Sequence, residues 1–205
     1  MVSELLTPGR QATRARILSG ASEVLVELGV RDTAVRDILE RASVARRTFY
    51  QYFRSIDQVL DTLYEQALTE LFQQVSAALA ASEDPRDKIV SFIEAYLDFQ
   101  EAGGALLILL QAEAVRPESP LAARRDRALD ALVQIIDQAV RASVGATIDP
   151  LVYRSLLIGG EGTVIHVQRK GDFSSADRER VRGIMCALVG NVLVSYASLP
   201  SAPAD

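Results

Sequence analysis

Cysteine and histidine are almost absent from this 205-residue chain, with one of each. The lone Cys186 excludes an internal disulfide and points to a reducing cytoplasm. Its neighbours Met185, Ala187 and Leu188 are apolar, so it reads as a buried, inert thiol. With His166 the sole imidazole, no metal-ligand spacing and no nucleophile–base pair can be assembled. A glycine-rich phosphate loop and a nucleophile elbow are also missing. We therefore expect no catalytic residues, no metal and no cofactor. Long apolar runs are lacking too. The longest, Ala105 to Leu110, is too short to span a bilayer, and Glu4 and Pro8 stand where a leader would be basic and then apolar. No membrane partner is expected. Strand-type alternation persists nowhere, and there is no internal repeat.

What is present is helical period and helix punctuation. The 49% hydrophobic content suffices for one core, or for two small ones sharing a long helix. Ile17, Leu18, Ala21, Val24, Leu25 and Leu28 mark a first helix, with Gly29 as its terminating glycine. Ser55-x-x-Gln58 opens a long helix to about Ala81. Asp84-Pro85, Ser119-Pro120 and Asp149-Pro150 are start signals, with Pro ready for the first turn. Gly103-Gly104 breaks the first of these helices, Gly171 stops the third, and Ser174 caps the last. The expected fold is all-α with about nine helices. It comprises a head at 10–54, a helical body at 55–199, and flexible tails at 1–9 and 200–205.

Charge is unevenly spread. The net charge is -5, yet residues 1–60 hold nine Arg against seven acids. Between Arg41 and Ile56 there is no Asp or Glu, while Arg41, Arg46, Arg47 and Arg54 give a local +4. A basic head on an acidic body suits a protein that touches DNA with one end. The same stretch carries two short helices. Val35, Ile38, Leu39 and Ala42 form the inner face of the first, with Thr33 as N-cap. Ser43-Val44-Ala45 is the turn, and Arg46 to Gln51 is the second, pinned by Phe49 and Phe53 four apart. One bracing helix and one short basic helix with flanking hydroxyls make a helix-turn-helix.

The pattern Gly29-Val30-x-x-Thr33, Val35-x-x-Ile38, Ala42-x-Val44 and Thr48-Phe49-Tyr50-x-Tyr52-Phe53 resembles the DNA-binding domain of TetR-type transcriptional regulators. The likeness covers roughly residues 14 to 60. Ser43 stands where that family usually has Gly; if left-handed, it costs on the order of 1 kcal/mol. Ala45 replaces the usual capping Ser or Thr, Ile56 a Lys, and Arg47 a small residue. On this reading Arg46, Arg47, Thr48 and Gln51 reach base edges, and Thr33, Tyr50, Tyr52 and Arg54 hold phosphates of a palindromic operator on double-stranded DNA.

Two stripes of small residues mark the last helices. Ser155, Gly159, Gly162 and His166 share one face; Gly183, Ala187, Gly190 and Val194 share another. Each mid-helix Gly costs roughly 1 kcal/mol relative to Ala, so a close backbone approach is expected, between the two helices or across a two-fold. The family resemblance implies a homodimer through this pair, and a small, mostly hydrophobic effector in the body. Phe92, Tyr96, Leu107, Leu110 and Tyr153 are candidate lining residues. Gln111, Glu113 and Glu161 are polar among apolar neighbours, and a buried carboxylate needs a partner such as Arg116, Arg154 or a ligand. The leading expectation is a cytoplasmic repressor released by its effector. The competing one is a DNA-binding scaffold answering to a protein partner.

Overall fold

The structure is a computed structural model, and its described residues are 7–81, 83–144, 148–169 and 173–197. They form eight helices and no strand: α1 (Pro8–Leu28), α2 (Val35–Ala42), α3 (Arg46–Tyr52), α4 (Ile56–Ala80), α5 (Pro85–Ala114), α6 (Ala122–Val144), α7 (Pro150–Gln168) and α8 (Ser175–Ala197). The expected nine become eight because Gly103-Gly104 does not end its helix. Only Gly104 leaves helical geometry, at φ 51 and ψ -146, and α5 resumes beyond it. That conformation is essentially restricted to glycine.

The helix starts follow their caps. The Asp149 carboxylate accepts from Leu151 N at 2.8 Å. Asp84 Oδ1 accepts from Asp87 N, and Ser174 Oγ accepts from Asp177 N at 3.1 Å. Ser55 Oγ accepts from Gln58 N, while Gln58 Oε1 reaches back to Arg54 N rather than to Ser55 N. α1 begins inside the stretch expected to be a tail. Pro8 occupies its first turn, and the Thr7 carbonyl accepts from Arg10 N and Gln11 N. Residues 1–6 and 200–205 of the expected tails, and Gly171, lie outside the described residues.

The chain divides into two units. The first holds the described residues up to Ala67 together with Gly104–Ala123. Its buried side chains include Ile17, Leu25, Ile38, Phe49, Phe53, Leu60 and Leu110. The second holds Leu68–Gly103 and the described residues from Arg124 onward. One of its cores joins Ile93 and Leu97 of α5 to Val164 of α7 and to Val181 and Met185 of α8. Another joins Val133 of α6 to Ile148 and Tyr153. Arg178 of α8 ties itself to α5 through Glu94, Asp98 and Glu101, at 2.7 to 2.8 Å.

Candidate functional site

In the first unit α1 braces α2 at unusually short range. A Cβ built on Gly20 would lie 2.9 Å from Ala42 N and 3.1 Å from Ala42 Cα, so the two backbones touch where no side chain intervenes. α2 then ends on Ser43 at φ 51 and ψ 50, so the position is left-handed and carries the cost stated for that case. α3 follows with Phe49 and Phe53 wholly buried, their rings 5.9 Å apart. Burying those two faces Arg46, Arg47, Tyr50 and Gln51 outward, where all four are exposed. Thr48 and Tyr52 are half-buried at the flanks, and Arg54 is exposed just beyond. Arg46 lies over the Tyr50 ring, and from α1 Arg10 and Arg14 lie over Tyr52 and Phe53.

Two expectations about this surface are corrected. Ala34, not Thr33, is the N-cap of α2, and the Asp37 carboxylate supplies the cap by accepting from Ala34 N at 2.8 Å. Thr33 is buried and donates to the Gly29 carbonyl at 2.7 Å, which holds the α1–α2 loop. Arg41 does not add to the free charge. It pairs with Glu27 and Glu23 of α1, and these two carboxylates push its pKa still higher. No such ion pair ties down Arg46, Arg47 or Arg54 among the described residues, so α3 and the segment just after it carry three arginines free of carboxylates.

The second unit holds a cavity of about 110 Å³, almost wholly apolar. α5 contributes a stripe from Lys88 to Tyr96, α7 a stripe from Tyr153 to Glu161, and α6 and α8 close it with Ile136, Val140, Met185 and Val189. Four of the expected lining residues meet here: Phe92, Tyr96, Tyr153 and Glu161. Leu107, Leu110 and Gln111 belong to the other unit, where they are buried, and they do not line this cavity. The Tyr153 hydroxyl is buried with no hydrogen bond to a described residue. Burial first, and the Asp137 carboxylate second, push its pKa up to about 12. Glu161 finds its counter-ion in Arg125 of α6, both side chains largely buried. Arg154 instead pairs with Asp126 and Asp130, and Glu113 binds Arg116 through both oxygens. Sequence reasoning missed Arg125 because it lies far along the chain on another helix.

The glycine stripes of α7 and α8 face outward. Gly159, Gly162, His166 and Ala187 are exposed, Gly190 is half-buried, and the side chain of Val194 lies outside the described residues. A Cβ on Gly159, Gly162, Gly183 or Gly190 would meet nothing within 4 Å. Beside them Leu151, Ile158, Ile184 and Leu188 are 41 to 66% exposed. Cys186 is half-buried, and desolvation raises its thiol pKa, in keeping with an inert role. Among the described residues no helix is long and apolar enough to cross a membrane.

A short brace helix, a left-handed turn and an exposed basic helix define the class: an all-helical protein with a helix-turn-helix head. Residues 17–63 match the family model described as bacterial regulatory proteins, tetR family. It is 30% identical over 92 residues to the transcriptional activator FasR of Mycolicibacterium smegmatis, covering 45% of this chain and 42% of that one. It is 27% identical over 111 residues to the transcriptional repressor KstR2 of the same species, covering 54% of each. The chain thus spans about half the length of the curated relatives it matches. In fold it is similar to the fatty acid degradation regulator FadR from Bacillus halodurans, with a TM-score of 0.73 at 17% identity, over 89% of this chain and 97% of that one. It is also similar to FadR from Bacillus subtilis, solved in complex with stearoyl-CoA, with a TM-score of 0.68 at 20% identity, over 90% and 98%. These similar proteins are named as regulators.

Proposed function

We propose that this protein is a cytoplasmic, homodimeric regulator that binds a palindromic operator and, as a repressor, leaves it when a small hydrophobic effector fills the cavity of its second unit. Residues 10–54 read the DNA, and residues 55–199 carry effector binding and dimerisation. The observation that carries this reading is the outer face of α3. Arg46, Arg47, Tyr50 and Gln51 share it, no acid interrupts it, and neither of its arginines is paired with a carboxylate among the described residues. Arg fits the acceptor pair of guanine and Gln the edge of adenine. Tyr50, Tyr52 and Arg54 are suited to phosphates, and Thr33 acts by holding the loop rather than by reaching DNA itself. Effector binding is supported by the apolar cavity and by two fold relatives named for fatty acid regulation, one of them holding an acyl-CoA. Dimerisation is supported by Gly159, Gly162, Gly183 and Gly190, whose missing side chains nothing among the described residues accounts for.

The test is selection of genomic fragments by the purified protein at low and high salt. A shared palindrome with half-sites roughly 34 Å apart, or a nearby distance, is expected to survive high salt. Weak binding erased by salt, with no common site, would sink the reading. Within the selected site, Arg47→Ala is expected to cost about 1–3 kcal/mol and to relax preference at one base pair. The cavity's small volume favours a second reading, a DNA-binding scaffold governed by a protein partner. A thermal-shift screen with apolar compounds separates the two, because only a true effector raises the melting temperature by mass action.

A further inference from the structure

Resting on the reading of this cavity as the effector site, we infer that Met185, seated on Gly160, is the stop that sets how long an effector chain the cavity admits. Three observations lead there. The first is shape. The α5 stripe from Lys88 to Tyr96 and the α7 stripe from Tyr153 to Glu161 each run nine residues, or roughly 12 Å from first to last at helical rise. Between the polar side chains at their ends the wall is apolar, which suits an unbranched aliphatic chain lying along the helices. The second is volume. At about 110 Å³ the cavity is smaller than the roughly 150 Å³ that accommodates a single benzene ring. Any extended chain must therefore displace part of the wall.

The third observation names the part that yields. Ile, Val, Leu and aromatic side chains make up most of the lining, and the β-branched ones are stiff at their first torsion. Met185 is the thioether among them, unbranched and able to repack. Its methyl tip rests on α7: a Cβ built on Gly160 would lie 2.9 Å from Met185 Cε. No positive φ requires glycine at position 160. Gly160 differs from Gly159, Gly162, Gly183 and Gly190, whose missing side chains leave open space. Its bare backbone is the seat on which the Met185 tip rests at the cavity wall. Gly160 and Glu161 are adjacent in α7, so the stop stands at the Glu161 end of the slot.

The experiment uses the full chain, uptake of the neutral fluorophore N-phenyl-1-naphthylamine, and its displacement by octanoate, laurate and stearate. Met185→Ala is expected to improve displacement by stearate relative to octanoate by about tenfold, the worth of one or two buried methylenes. Gly160→Ala, which drives the methyl tip into the slot, is expected to weaken uptake of every probe. Uptake is expected to return in the double variant Gly160→Ala with Met185→Ala. Met185→Leu fills the core should the alanine variant fail to fold, and its branched tip is expected to bar stearate more strongly than wild type. If every folded variant keeps the wild-type order of chain lengths while the wild type takes up the fluorophore, the stop is overturned and the cavity reading stands. If neither the wild type nor any variant takes up the fluorophore, the cavity reading falls and takes the stop with it.

Discussion

Ser43 sits in the left-handed region with a side chain that does not favour it. The cost is roughly 1–2 kcal/mol, reduced in a Ser→Gly exchange because glycine gives up more freedom on folding. Ser43→Gly is therefore expected to raise stability by up to about 1 kcal/mol, measured by chemical denaturation, without moving any contact of α3. This strain was legible in the sequence only as a condition, since the family resemblance puts Gly at this turn and the backbone angle itself had to come from the structure. Ion pairs were legible only where local. Glu113 in the last turn of α5 and Arg116 just beyond it are three apart, so their pairing follows from spacing. Glu161 with Arg125, and Arg41 with Glu23 and Glu27, depend on which helices come together, and no residue count along the chain supplies that. The role of Thr33 was hidden for another reason: its hydroxyl could cap α2 or bond back along the chain, and it donates to the Gly29 carbonyl four residues back.

At the scale of the element, helix starts were readable because capping is a local reaction between a side chain and the next few amides. Asp84, Asp149 and Ser174 each accept from an amide within three residues. Helix ends were less readable. A Gly-Gly pair reads as a break, yet one residue of α5 absorbs the whole distortion and the helix continues. Least readable was the contact between α1 and α2, since Gly20 gives no sign of itself within an ordinary helical stripe. Its importance comes from the Ala42 backbone lying where a methyl group would go. Gly20→Ala gains helix propensity but must push α2 away. We expect a net loss of about 1–3 kcal/mol and weaker operator binding, because α2 and α3 shift together. Thermal unfolding beside a DNA-binding titration checks this, and unchanged values in both would show that the helices separate at no cost.

For the whole molecule the question is whether the second unit works alone or paired. On the α7–α8 face, Gly162 is exposed and a side chain there would meet nothing in its own chain. Gly162→Glu is expected to leave the melting of a monomer unchanged or slightly raised, since glycine costs a helix interior about 1 kcal/mol. Self-association, followed by sedimentation, is expected to fall sharply, and operator affinity with it. A variant that still dimerises with wild-type affinity would place the two-fold elsewhere. The face was partly legible, since repeated glycines in one stripe imply a close approach. Whether that approach is within the chain or between chains was not, because spacing cannot say what lies opposite.

That face has a consequence for a cell that holds several proteins of the same family. Backbone stripped of side chains is much alike from one relative to the next and carries little that distinguishes self from cousin. If two copies pair through this face as proposed, the burden of correct pairing falls on Leu151, Ile158, Ile184, Leu188 and the solitary His166. Discrimination between partners needs groups that clash or go unpaired with the wrong one, and these five positions are where this chain can place them.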